Sequence, residues 1–314
     1  MMKIVFFGSD EFSISALRAC VNSKHEVSLV VTTPPQKKGR GLKYAESPVQ
    51  VFATEKNLPL IAPSSLNDNA VVNQITEIQP DIYVVSSYGK YIPSQYLGIP
   101  KITTLNVHPS LIPKYRGSGP IQWAILNGDL ETGVSIIEVA KKLDAGDIFL
   151  QKVMPIDKAD DHLSLRAKLG HLSYDILTDM FKGDITKENL KRTKQDESCA
   201  TYAPKLDKSN GHIKLTDDGA SIEQKVRALK PWPGTFMICD GQRVSLIDVE
   251  FYPEHHFEKP GTVIEITPDE SLIVATSNST LRIKRVQPAG KNEMSAAAFA
   301  NGKRIKPGYV FMTE

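Results

Sequence analysis

The chain has 314 residues, about two domains' worth, so a single small binding module is excluded. With 41% hydrophobic and 24% charged residues it has the composition of a folded globular protein, and no run approaches the roughly 18 to 20 consecutive apolar residues of a membrane-spanning helix. The net charge is only +2, from 38 basic and 36 acidic side chains, so a nucleic-acid partner has to be argued from local clusters.

Residues 3–7 form a continuous β-favouring run that stops at Gly8-Ser9, and residues 10–20 carry apolar side chains at Phe12, Ile14, Leu17 and Cys20, as a helix would. A second apolar run at 27–31 completes a β-α-β unit, the building block of a parallel sheet. The apolar stretch of residues 4–7 is too short for a secretory signal. The three cysteines, Cys20, Cys199 and Cys239, are far apart and lack metal-ligand or disulfide spacing, so a reducing, cytoplasmic setting is expected, with no metal. Positions 8–13 read GSDEFS and lack the second glycine of a dinucleotide fingerprint, which disfavours NAD, and no phosphate-binding P-loop motif exists.

Residues 32–48 form a seventeen-residue connection carrying Lys37, Lys38, Arg40 and Lys43 with no acid before Glu46. The +4 carried ahead of Glu46 fits either a solvated surface loop or a mobile loop that meets backbone phosphates. Further strands are expected at 81–85, 102–108 and 134–139, alternating with helices near 67–78 and 120–126, so helices should cover both sheet faces.

The most informative stretch is residues 105–117, Leu-Asn-Val-His-Pro-Ser-Leu-Ile-Pro-Lys-Tyr-Arg-Gly. Strand alternation puts Asn106 and His108 on one face and Val107 on the other, and Pro109 ends the strand. Two polar side chains then meet at the carboxyl end of a strand, where open parallel sheets place their sites. An amide can donate to a developing oxyanion and an imidazole can move a proton at neutral pH, although an Asn-x-His pair taken alone is more often a satisfied core histidine. Asp144, before Ala145-Gly146, is either a turn-former or the third member of the group, orienting the imidazole or accepting a proton through water. No G-x-S-x-G elbow supplies a nucleophile, so the chemistry indicated is acyl transfer without a covalent enzyme intermediate.

A long helical pattern at 161–181 ends at Gly183. The polar, aperiodic stretch that follows reads as a linker, and a helix near 220–229 precedes strands at 235–239, 244–251, 261–266, 272–276 and 281–287, separated by turn residues. Five short strands suggest a small OB-like barrel. The expected organisation is therefore α/β: a mostly parallel domain at 1–183, a linker at 184–206 and a small OB-like β-barrel domain at 207–314. Residues 205–314 contain 15 Lys and Arg against 14 Asp and Glu, so a uniformly basic RNA-binding domain is not supported. Contact with RNA there needs a stripe such as Lys205, Arg282, Lys284 and Arg285, with Arg285 expected on the opposite strand face from Arg282 and Lys284.

At these residues the chain resembles the methionyl-tRNA formyltransferases over essentially its whole length. The run at 106–117 is the signature of enzymes that use 10-formyltetrahydrofolate, shared with glycinamide ribonucleotide formyltransferases, formyltetrahydrofolate hydrolase-type domains and amino-sugar formyltransferases. Gly39-Arg40-Gly41, the run Thr-Tyr-Ala-Pro-Lys-Leu at 201–206, the run Gln-Pro-Ala-Gly-Lys at 287–291 and Met294-Ser295 resemble segments particular to the methionyl-tRNA family. Two departures stand out: Ile112 replaces the usual leucine, and Ile-Lys-Leu at 213–215 replaces the common Asp-Trp after isoleucine.

The resemblance implies a Rossmann-like formyltransferase domain and catalytic roles for Asn106, His108 and Asp144. It places the folate site at Ser110, Leu111, Ile112 and Pro113 with Tyr88 and Gly89, the Pro113 peptide being cis in relatives. Lys37, Lys38, Arg40, Lys43 and Lys205 would contact tRNA. The implied reaction is formyl transfer to methionyl initiator tRNA for translation initiation, with (6S)-10-formyltetrahydrofolate as co-substrate, by a monomer. Two other readings stay open: a formyltransferase acting on a small amine such as an amino sugar or nucleotide, and a noncatalytic folate- or RNA-binding protein.

Overall fold

The computed structural model describes residues 1–38 and 43–311. Lys3–Gly8 (β1) buries Ile4, Val5, Phe6 and Phe7 completely, so this strand is covered on both faces. Asp10 then caps α1 (Glu11–Val21) by accepting a hydrogen bond from the Ser13 amide, which satisfies one of the free donors of the first turn. The chain returns through β2 (Glu26–Val31), parallel to β1.

The basic connection is not irregular throughout. Gln36–Lys38 (β3) and Lys43–Ala45 (β4) pair as an antiparallel hairpin, with Lys37 opposite Tyr44 and its ammonium 5.7 Å from the Tyr44 ring centroid. Gln36, Lys37 and Tyr44 are exposed, so the hairpin leaves no apolar alternation in the sequence. Then follow α2 (Pro48–Glu55), β5 (Leu60–Ile61), α3 (Asn69–Glu77), β6 (Ile82–Ser86), β7 (Thr103–His108), β8 (Arg116–Gly117), α4 (Pro120–Leu126), β9 (Glu131–Glu138), β10 (Ile148–Pro155), α5 (His162–Lys182) and β11 (Tyr202–Ala203).

Seven strands form one sheet in the order β10-β9-β7-β6-β1-β2-β5. Pairing is parallel from β5 to β7, whereas β9 runs antiparallel to both β7 and β10. The mostly parallel α/β sheet expected from the sequence is present, with an antiparallel margin. Sequence reading missed β10 because an edge strand exposing Leu150, Gln151 and Val153 shows no clean alternation. The short parallel ladder of β8 with β11 and the cis peptide between Ile112 and Pro113 shape the loop after β7.

Two compact units divide the chain. The first comprises 1–120, 131–155 and 165–203; the second comprises 121–130, 156–164 and 204–314. In the second unit, α6 (Gly219–Ala228), β12 (Thr235–Cys239), β13 (Gln242–Tyr252), β14 (Val263–Ile266), β15 (Leu272–Ala275), β16 (Thr280–Pro288), β17 (Met294–Ser295) and α7 (Ala296–Lys303) follow in sequence. An antiparallel sheet of order β12-β13-β16-β15-β14 carries a core that includes Ile213, Leu215, Val226, Leu246, Ile283 and Phe299. Leu215, one of the departures from the family pattern, is thus a core residue.

The two early segments belong to the second unit through specific bonds. Trp123 Nε1 donates to the Pro204 carbonyl (2.9 Å), Arg227 donates to the Asp160 carbonyl (2.6 Å), and His162 Nδ1 lies 3.0 Å from the Lys230 carbonyl oxygen. Among the described residues, no helix is long and apolar enough to cross a membrane.

Candidate active site

β7 delivers Asn106 and His108 to one side, while Val107 between them is buried in the opposite layer. The connection after β9 brings Asp144 to the same place. Gly146 makes this path possible: a Cβ there would lie 1.9 Å from the Glu138 carbonyl oxygen, so only glycine allows the backbone to pass. Asp144 itself adopts the left-handed conformation at φ 50°, which aspartate tolerates better than most residues.

Its carboxylate is the hub of the site. One oxygen accepts from Asn106 Nδ2 (3.2 Å), and the other accepts from the Gly117 amide (2.8 Å) and stands 3.7 Å from His108 Nδ1. His108 Nε2 lies 2.9 Å from the Tyr115 carbonyl oxygen. A carbonyl can only accept, so this contact assigns a proton to Nε2 and leaves Nδ1 as the nitrogen facing Asp144. Asp144 therefore stands against both Asn106 and His108, the residues that spacing singled out with it. An amide donor, an imidazole and a carboxylate at this range can stabilise a developing oxyanion and move a proton.

The proposed folate residues divide by exposure. Ser110 is fully buried, donates from Oγ to the Lys114 carbonyl (2.7 Å) and accepts at its own carbonyl from Ser135 Oγ (2.6 Å). Ile112 is buried, its carbonyl accepting from Gln151 Nε2 (2.8 Å), whereas Leu111 and Pro113 keep partly exposed surfaces. Tyr88 packs its ring edge-on against Phe7 inside the core, and its carbonyl accepts from Ser9 Oγ (2.9 Å). Gly89 is exposed, at φ 76°, with open space where a side chain would project. Near residues 87–89 the Tyr88 ring is thus closed to a ligand, whereas the Gly89 backbone is open.

Of the proposed tRNA contacts, Lys37 is exposed on β3, and the backbones of Lys38 and Lys43 pair across the hairpin. Arg40 lies outside the described residues. Lys205 is exposed in the second unit. In that unit the expected cationic stripe is neutralised locally: Arg282 pairs with Asp269, Lys284 with Glu250 (2.8 Å) and Arg285 with Glu293. Arg285 also departs from the expected face. The β13–β16 register shifts beside Asp248, so Lys284 and Arg285 both project outward where a regular strand would have buried one.

Sequence reading assigned no role to four residues beside the trio, Arg116, Lys142, Gln195 and Glu197. Arg116, wholly buried at the end of the signature run, donates to Gln195 Oε1 from Nε (3.0 Å) and Nη2 (2.6 Å) and forks onto Glu197 (2.7 and 3.2 Å). Lys142 reaches the same Glu197 carboxylate (2.6 Å). The Arg116 hydrogen bonds first, and then those of Lys142, pull the Glu197 carboxyl down to about 2. A buried arginine demands such partners, but nothing in the aperiodic stretch around 184–206 indicates which residues supply them.

Among the described residues, no cluster of three or more His, Cys, Asp or Glu could hold a metal ion. Residues 2–181 match the formyl transferase family and residues 205–304 its C-terminal domain. The methionyl-tRNA formyltransferase of Caldanaerobacter subterraneus is 36% identical over 98% of this chain and 99% of its own length, and that of Lacticaseibacillus paracasei is 35% identical over 96% and 95%. In fold, the chain resembles an N-formyltransferase of Helicobacter canadensis solved with folinic acid and dTDP-3-aminofucose (TM-score 0.68, 17% identity, 92% of this chain and 100% of that one). It also resembles HypX of Aquifex aeolicus solved with tetrahydrofolic acid (TM-score 0.59, 19% identity), covering 95% of this chain but spanning only 47% of HypX. With a family match over more than half its residues and relatives aligned along nearly its full length, the chain belongs to the methionyl-tRNA formyltransferase family.

Proposed function

We propose that this enzyme transfers the formyl group of 10-formyltetrahydrofolate to the α-amine of methionine carried by initiator tRNA, acting in the cytoplasm as a monomer and supplying N-formylmethionyl-tRNA for translation initiation. The observation that carries the reading is the convergence of Asn106, His108 and the Gly117 amide on the Asp144 carboxylate. The amine attacks the formyl carbon, and the carbonyl oxygen takes on negative charge as the new C–N bond forms. Asn106 retains a second amide hydrogen for that oxygen, and His108 Nδ1, outside hydrogen-bond range of Asp144, is free to donate to it once protonated. Such donors typically contribute about 100- to 1,000-fold each to the rate. Asp144 holds Asn106 through its hydrogen bond, faces the imidazole with its negative charge, and takes up the ammonium proton through water. Collapse breaks the bond to the folate nitrogen, which leaves with a proton as tetrahydrofolate.

The folate reading draws on the partly exposed Leu111 and Pro113 and the open backbone at Gly89, since apolar walls with backbone polar groups suit a flat pterin. The tRNA reading draws on the basic hairpin, which a small acceptor does not require. The test is formyl transfer to initiator methionyl-tRNA by the wild type, Asn106→Ala and His108→Ala, with a nucleotide-linked amino sugar as competing acceptor. The reading requires transfer to the tRNA and a fall of about 100-fold or more in each variant. Wild-type turnover in both variants overturns the site, and preferential formylation of the sugar overturns the acceptor.

A further inference from the structure

We propose that Gln195 is a positioning residue for formyl transfer: its amide ties the buried Arg116 guanidinium to the backbone of the Asp144 turn and so sets where the Asp144 carboxylate stands. The proposal rests on the assignment of Asn106, His108 and Asp144 to the reaction.

Gln195 uses its whole bonding capacity within this one cluster. Oε1 accepts two hydrogen bonds from Arg116, and Nε2 donates to the carbonyls of Asp144 (2.8 Å) and Gly146 (2.6 Å). The orientation of the amide is therefore dictated by its neighbours. A flipped amide would set its oxygen against two carbonyls and its NH2 against a guanidinium. Arg116 cannot move to accommodate a change, because it is wholly buried, forks onto Glu197 and has its backbone amide held by the Thr201 carbonyl (2.9 Å).

The connections form a closed circuit. Gln195 holds Arg116; the next residue, Gly117, donates from its amide to the Asp144 carboxylate; and the Asp144 carbonyl returns to Gln195. Lys142, two residues before Asp144, is drawn to Glu197, so the turn is tethered on both sides of its left-handed residue. A non-glycine residue keeps that conformation only when its surroundings impose it. Remove the two donors of Gln195 and the turn can relax, taking the carboxylate away from His108 and Asn106.

The deciding pair of variants is Gln195→Ala and Gln195→Glu in the full chain, read by kcat, by KM for tRNA and folate, and by Tm. Gln195→Glu keeps an acceptor for Arg116 but turns a carboxylate oxygen toward the Asp144 and Gly146 carbonyls. If Gln195 acts through the Asp144 turn, both variants lose kcat by about 10- to 100-fold, a displacement of about 1 Å at a reacting group being enough for the larger figure. Both KM values stay within a few-fold, and Gln195→Glu melts no lower than Gln195→Ala. Wild-type kcat in Gln195→Glu would show that Gln195 serves only to satisfy Arg116, and a raised KM at unchanged kcat would make it a binding residue; either result overturns the proposal. If Gln195→Ala does not fold, Gln195→Glu carries the same decision. Asn106→Ala and His108→Ala are measured alongside. If they keep turnover, the site assignment fails; if they collapse while the Gln195 variants keep kcat, positioning alone fails.

Discussion

Asp144→Asn is isosteric and removes one negative charge from the centre of the site. The carboxylate is nearly buried and lies 3.7 Å from His108 Nδ1. At an effective dielectric of about 20, the attraction between unit charges at that separation is about 4.5 kcal/mol, and the part felt by the cation that forms during transfer translates into about a thousandfold in rate. Hydrogen bonding is damaged as well. Both carboxylate oxygens face donors, Asn106 on one and the Gly117 amide on the other, so the NH2 of the substituted side chain must oppose one of them in either orientation. An unsatisfied buried donor costs about 1–3 kcal/mol, which should lower Tm by a few degrees without unfolding the protein. Single-turnover formylation of methionyl-tRNA at saturating folate, beside thermal melts, separates the two effects. The expected result is a rate loss of about 100- to 10,000-fold with a folded variant. A loss of less than about tenfold in a folded variant would refute the electrostatic role assigned to Asp144.

Three further outcomes follow from the geometry. Glu197 titrates near 2, below its usual 4.5, chiefly because Arg116 and Lys142 bond its charged form; its contribution is complete above pH 4.5 and lost as pH falls toward 2. The urea midpoint of the wild type should therefore exceed that of Glu197→Gln by a constant margin from pH 7 to about 4.5, and this margin should close at lower pH; one that persisted to pH 2.5 would contradict the pairing. Gly133→Ala would place a Cβ 2.1 Å from the Lys152 carbonyl oxygen and 2.6 Å from Leu111, forcing β9 from β10, so chemical denaturation should show a loss of about 1–3 kcal/mol. Replacing Lys37, Lys38, Arg40 and Lys43 by Ala should raise KM for tRNA with little change in kcat and flatten its salt dependence by roughly 0.7–0.9 log units per lost phosphate contact; an unchanged KM removes the hairpin from recognition.

Much of this organisation was legible in the sequence because it is written locally. Apolar runs mark β1, β2, β6 and β7, turn residues separate the five main strands of the second unit, and a two-residue alternation followed by proline points Asn106 and His108 to one side. The elements that went unread are those whose stabilising partners are distant. The β3–β4 hairpin exposes Gln36, Lys37 and Tyr44, β10 is an exposed edge, and the assignment of 121–130 and 156–164 to the second unit depends on contacts such as Trp123 with Pro204. The pairing of Lys284 and Arg285 with acids likewise depends on a register shift that alternation along one strand cannot disclose.

By itself, the sequence determined the α/β class, the two-part organisation and the residue types able to carry acyl transfer, since each follows from composition and short-range periodicity. Only the tertiary structure decided that Asp144 adopts a left-handed turn within reach of Asn106 and His108, and that Gln195 and Glu197, from a stretch that reads as a linker, bind the buried Arg116 behind it. The physical reason is distance along the chain. Asp144 lies 38 residues from Asn106 and Gln195 lies 79 from Arg116, and contacts at such separations are set by how β7, β8, β9 and β11 pair, not by any pattern a single segment displays.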